Sequence, residues 1–544
     1  MRWGALTGAV AVAASLCAQV TPELEKPVFE GVVRDSVTKL PVPKASVQVI
    51  PLAEKQPGYA GVSDATGAFR FEGIVPGDYR MRTRGRGYAD SRVVAIGARR
   101  KAVVQVAEHG SITGSVIELD PEAIVTGRVT NSEGEPVPAA VVFAIEEQWQ
   151  RGFRVYKPVE SASANDRGEY RLKVLPGRYY LSALPLFDGI VPRVFADDPD
   201  KPEVRAGVAV YPNASNIEGG SPLELRPGQE LSGISFKLRN VTTYHVRGKV
   251  NLFTPAPRTV VSLNRRNGDR SPGAGNVAVD VNKDGTFDLK GVAPGSYWLE
   301  LMPLRDSPTG RMPLEVTDRD VDGIHLASIP QFDVQGHVRL AEDDMDVPLT
   351  LVKLRIDWLN WYLFNFGGVS NTNADGAFIF RLRPAGEYVL TLPPDRDLYI
   401  QSVSCNQHAV EGGRLDFGRG PAGEVEVVLA NGTATVEGKV EWPDAEPGAM
   451  AILVSASGAT GNTGARGVEL DESGHFTFRY VPPGKFYVFA SGRFDEGLWQ
   501  NAEFVSGIQE GATAVDVAAK GSISVEAQKL TAADFERAMQ KVPR

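Results

Sequence analysis

Apolar and polar residues alternate along most of this chain, and glycine and proline cut the alternation at short intervals. Residues 64–79 read DATGAFRFEGIVPGDY. Phe69 and Phe71 stand two apart, so a strand places them on one face. The Asp64 to Gly67 segment predicts a tight turn, because an Asp carboxylate bonds nearby backbone and Gly accepts positive φ. Pro76-Gly77 ends the strand, since proline fixes φ and cannot donate to a sheet ladder. Tyr79 opens the next strand, and no helical period runs through the window.

The window recurs as DRGEYRLKVLPGRY (166–179), DGTFDLKGVAPGSY (284–297), DGAFIFRLRPAGEY (375–388) and DESGHFTFRYVPPGKF (471–486). Upstream of each copy lies an apolar-x-Gly-x-Val run, with its glycine at 31, 127, 248, 336 and 438. A glycine in mid-strand on the core face predicts close backbone approach or a bulge. A further strand falls between the two signals, as in Ala45-Ser-Val47-Gln-Val49. Recurring short strands with frequent turns predict an all-β fold: a tandem array of about five Ig-like or transthyretin-like β-sandwich domains. Thr531-Ala-Ala-Asp534 resembles a capping box, so a short C-terminal helix closes the chain.

At 544 residues the chain is too long for one core, and 42% hydrophobic content is ordinary for folded protein. The formal net charge of −9 argues against nucleic acid, which needs a basic patch. Arg2 followed by apolar Gly4 to Leu16 predicts a signal peptide over 1–18. No later segment is apolar enough to span a membrane as a helix, so no span is expected in the mature chain. Cys17 lies in the signal and leaves Cys405 without an intrachain partner, so each domain relies on its apolar core.

These signals together resemble the carboxypeptidase regulatory-like domain, a transthyretin-like sandwich. The matching residues are Gly31-Val-Val, Pro43-x-Ala45-x-Val47, Asp64 to Phe71, Pro76-Gly77-x-Tyr79 and Gly87-Tyr88. Tyr211-Pro-Asn with Pro222 to Gly228, and Tyr399 to Val403, look like secreted bacterial proteins that carry several such domains. The resemblance implies an accessory, folding or binding role. Its motifs are turn and core residues, which specify fold rather than function.

Catalytic chemistry finds little footing. His408-Ala-Val-Glu411 has a zinc-peptidase spacing, but a third ligand, an acid and a catalytic domain are wanting. Asn282-Lys-Asp284-Gly285 and Asn373-Ala-Asp375-Gly376 open like calcium loops, yet strand residues follow at once. No cofactor is expected. Aromatics are the remaining ligand candidates: Trp149, Trp358, Trp361 and Trp499. Trp358 and Trp361 have opposite parity on one strand, so one of them is placed to stack on a sugar ring.

The expected domains are 28–110, 120–240 with an excursion over 186–230, 241–328, 329–430 and 431–530, with a helical tail at 531–544. Short links such as Leu119 to Glu122 predict a semi-rigid rod. The expected function is a secreted, non-catalytic protein of the cell envelope, periplasm or cell surface. Its expected partner is a polysaccharide or cell-surface glycan. The alternative is a structural or adhesion array that binds proteins through exposed strand edges. The third reading is an accessory of a metallocarboxypeptidase.

Overall fold

The computed structural model describes residues 27–542 apart from 186–202, 253–257, 270–276, 303–308, 360–366, 443–447, 457–464 and shorter stretches. The signal segment, Trp361, Glu411 and residues 186–202 of the excursion lie outside the described residues.

The first domain runs β1 (Val28–Asp35), β2 (Ser46–Pro51), β3 (Tyr59–Val62), β4 (Ala68–Glu72), β5 (Gly77–Arg84), β6 (Val94–Ile96), β7 (Arg99–Lys101), β8 (Val103–Val106) and β9 (Ile112–Leu119). One sheet has the order β4-β1-β9-β6-β7 and the other β3-β2-β5-β8. Phe29, Val33, Val47, Phe69, Phe71, Tyr79, Met81 and Ile117 fill the space between them. The second domain continues with β10 (Ala123–Thr130), β11 (Val141–Gln150), β12 (Phe153–Ser163), β13 (Glu169–Val174), β14 (Gly177–Leu184) and β15 (Glu203–Ala206). Its sheets, and those of the three later domains, repeat the first domain's central strand order, each around a core of its own.

The two sequence signals meet in space. In every copy the strand bearing the apolar-x-Gly-x-Val run pairs in parallel with the domain's last sheet strand. A Cβ built on Gly31, Gly127, Gly248, Gly336 or Gly438 would lie under 3 Å from the carbonyl of Ser115, Ile234, Ile324, Val425 or Val525. Close approach therefore explains this glycine, and in the first and third copies the register also shifts beside it. Two residues on, Val33, Val129, Val250, Val338 and Val440 donate their N–H to the turn glycines Gly67, Gly168, Gly285, Gly376 and Gly474 at 2.8–2.9 Å. The turn residue that matters stands three before that glycine: Asp64, Asn165, Asn282, Asn373 and Asp471. In four copies its side-chain oxygen accepts two backbone amides, as Asp64 does from Thr66 and Ala68. In the third copy Asp284 accepts from Thr286 instead.

The closing aromatic of the frame pins its own turn. Tyr79, Tyr297 and Tyr388 each donate a hydroxyl bond to the carbonyl four residues upstream, at 2.7, 2.8 and 2.6 Å. Burial pushes the Tyr297 hydroxyl up to about 12. Tyr388→Phe leaves a buried Pro384 carbonyl without this donor, so the fourth domain is expected to lose about 1–2 kcal/mol, read as a lower melting temperature.

Successive domains are joined by more than their links. β15, which leaves the second domain, pairs with Asn240–Asn251 at the start of the third. Asp397 of the fourth domain accepts from the amides of Gly432 and Thr433 and from the Thr433 hydroxyl, which fixes the entry to the fifth. In the fifth domain, α1 (Ala502–Ile508) and α2 (Ala532–Lys541) cover the outer face of a sheet, over Ile452, Val454 and Phe489. The capping box at Thr531 and Asp534 forms in both directions.

Candidate interaction surfaces

The described tryptophan candidates do not build a ligand platform. Trp358 ends the strand Lys353–Trp358 inside the fourth core, 2% exposed and stacked on Tyr388. Trp499 is likewise 2% exposed and stacks on Phe489 with ring centroids 4.8 Å apart. Neither offers a ring face to solvent. Trp149 is half-buried, beneath the Arg154 guanidinium at 5.3 Å and beside the helical cap of the fifth domain. The structure does not bring the described candidates together on one surface. Two tryptophans absent from the sequence reading are also covered by cations: Trp298 by Arg266 and Arg311, and Trp442 by Lys529. None of the described tryptophans is exposed.

Trp358 takes the inward side of its strand with Leu354 and Ile356, and elsewhere the outer sheet faces are not uniformly open. The helical cap covers one, and residues Val208, Val210, Ala214 and Ile217 cover Ile145, Tyr156 and Tyr180 on another. Burial pushes the Tyr156 hydroxyl up to about 12, with the Glu147 charge adding to the shift.

The polar candidates are held by local structure. His408 is exposed, with Nδ1 at 2.9 Å from the Asn406 carbonyl oxygen. His337 stands on an exposed strand face against Glu424. The side-chain oxygen of Asn373 and that of Asp284 accept from their own turn amides. Among the described residues no group of three or more His, Cys, Asp or Glu side chains is arranged to hold a metal. A polar cluster that sequence reading missed lies on the third domain. Buried His245 places Nδ1 2.8 Å from Asp288, and Arg247 reaches Asp320 at 3.0 Å and Asp322 at 3.1 Å. Its members come from three separate strands and loops, and only the sheet pairing unites them.

Open strand edges remain. β3 is the outer strand of its sheet, with Val62 65% exposed. The equivalent strand of the fourth domain, Gly368–Asn371, carries Val369 at 60% exposed. In the second domain the same edge, β12, is instead engaged by later domains. No described helix is long and apolar enough to cross a membrane.

The family model of the carboxypeptidase regulatory-like domain matches residues 28–107. No curated protein matches the chain. Among solved structures, a streptococcal ancillary pilin is 11% identical at a TM-score of 0.19, covering 56% of this chain and all of its own. A minor pilin of Streptococcus agalactiae is 10% identical at 0.23, covering 40% and 97%. Two B repeats of the collagen-binding protein of Staphylococcus aureus are 11% identical at 0.14, covering 74% and 98%. At these scores no property of those proteins carries over. The family match coincides with the first sandwich and with the residues that build its turn and core. Residues 28–107 are a carboxypeptidase regulatory-like domain, and the four sandwiches that follow repeat its central strand order and its paired glycines.

Proposed function

We propose that this chain is a non-catalytic, multi-domain scaffold of the cell envelope that engages protein partners through open strand edges. The observation that carries this reading is the pair of exposed valines, Val62 and Val369, on the equivalent edge strand of two sandwiches. An open edge presents a row of backbone donors and acceptors to an extended segment of another protein. Side chains beside it select the partner by alternate positions along the strand. The charged and apolar N-terminal segment supports export. Glycan binding is the weaker reading, because the described tryptophans are covered.

The test immobilises residues 19–544 and passes envelope extract over them. Retained material is expected to survive periodate treatment of the extract and to vanish after protease treatment. Val62→Lys and Val369→Lys are expected to reduce retention at least tenfold while the thermal profile stays unchanged, since an edge charge blocks strand addition. Retention that periodate abolishes and the lysines leave intact would replace this reading with the glycan one.

A further inference from the structure

We propose that the β11–β12 hairpin is a clasp that holds the second, third, fourth and fifth domains in one body.

The strand lengths are the first observation. β11 and β12 have 10 and 11 residues, whereas their counterparts β2 and β3 have 6 and 4. Only Val141 to Ile145 of β11 also pair with β14, so the ribbon beyond Ile145 projects past its own sandwich. A two-stranded ribbon is marginal alone in water, so it needs cover on its faces.

Three other domains supply that cover. Val155 is fully buried within the core cluster of the fourth domain, which also contains Trp358. The Tyr156 N–H donates to the Gly268 carbonyl of the third domain at 3.1 Å, and Tyr156 bridges Asp269. Trp149 packs beside the helical cap of the fifth domain.

The tip is keyed to that cap. The Gly152 N–H donates to the Gly497 carbonyl at 2.8 Å. The Gly152 carbonyl accepts from Asn501 Nδ2, also at 2.8 Å, across 349 residues. Asn501 Oδ1 at the same time caps α1 by accepting the Phe504 amide at 2.8 Å. One side chain thus joins the hairpin to the helix. The fit is close at both glycines. Gly152 has φ +81°, and a Cβ on Gly497 would lie under 3 Å from the Trp149 carbonyl. Gln150 Oε1 is buried there with no hydrogen-bond partner among the described residues, while Arg154 Nε lies 3.3 Å from the Glu147 carboxylate.

The test compares residues 19–544 with the Gly497→Val and Asn501→Ala variants by small-angle scattering and limited proteolysis. A compact body of this length has a radius of gyration of about 25 Å, against about 50 Å for five sandwiches in line. Opening the clasp is expected to raise the radius by about a quarter and to expose the links between domains to protease. A second measurement traps the contact covalently, in exchange for the Asn501 side chain. A Cβ on Gly152 falls 3.1 Å from the Asn501 Cα, so Gly152→Cys with Asn501→Cys, in a Cys405→Ser background, is expected to form a disulfide on oxidation. That disulfide should lie within one chain at every protein concentration. A disulfide only between chains, or a radius unchanged in both variants, overturns the proposal.

Discussion

Gly127→Val is expected to unfold the second sandwich. The new side chain would meet the Ile234 carbonyl from the parallel strand, with Tyr170 at 3.1 Å on its other side. That carbonyl also accepts the buried Tyr170 hydroxyl at 2.6 Å, so pushing the strands apart breaks a second contact. Overpacking a filled interior costs about 1–3 kcal/mol when side chains can adjust, and more when backbone must move. Gly127→Ala should therefore lose about 3 kcal/mol, and valine should exceed the stability of an ordinary domain of this size. Melting of the mature chain, followed by proteolysis, checks this: the second domain should lose its transition and gain cleavage sites. Gly521→Ala is the control, because the nearest atom to its Cβ is 3.7 Å away. An unchanged profile for Gly127→Val would mean the two strands do not approach so closely. The same ranking should hold at Gly31, Gly248, Gly336 and Gly438.

The sandwich was legible because its constraints are local. A glycine that must admit a neighbouring carbonyl, and a turn that must cap its own amides, leave fixed residue types at fixed spacings. In the second and fourth copies the turn's side-chain acceptor is an asparagine upstream of the aspartate, Asn165 and Asn373. Asp166 stands two residues before its glycine and Asp375 next to it, Asp284 is itself the acceptor in the third copy, and the position shared by all five is Asp64, Asn165, Asn282, Asn373 and Asp471. Asn serves as well as Asp because the turn uses a side-chain oxygen, not a charge. The arrangement of domains was not legible, because it depends on contacts hundreds of residues apart. Its one sequence signal was the length of the alternation through VVFAIEEQWQ and beyond, too long for the sandwich it starts in. A face that alternation assigns to solvent is exposed only if nothing else docks there, and here a hairpin, a helical cap and an excursion do.

Trp358→Ala and Trp499→Ala are expected to lose about 3–5 kcal/mol each, in the fourth and fifth domains respectively. Both rings are enclosed, so truncation leaves a cavity that neighbours fill only in part. Trp358 would leave its place on Tyr388 and open the core shared with Val155 of the hairpin. Trp499 would leave Phe489 and Phe504 without their common partner, and α1 would lose its seat. Trp149→Ala should behave differently. Its ring is half-buried at the tip, so the melting of the second domain should change little while the contact with the fifth domain weakens. This contrast separates two explanations of the same residues. If the tryptophans served a sugar, Trp358→Ala and Trp499→Ala would melt like the wild type and lose retention on a polysaccharide column. If they serve the cores, melting falls, and any change in retention follows the fraction folded.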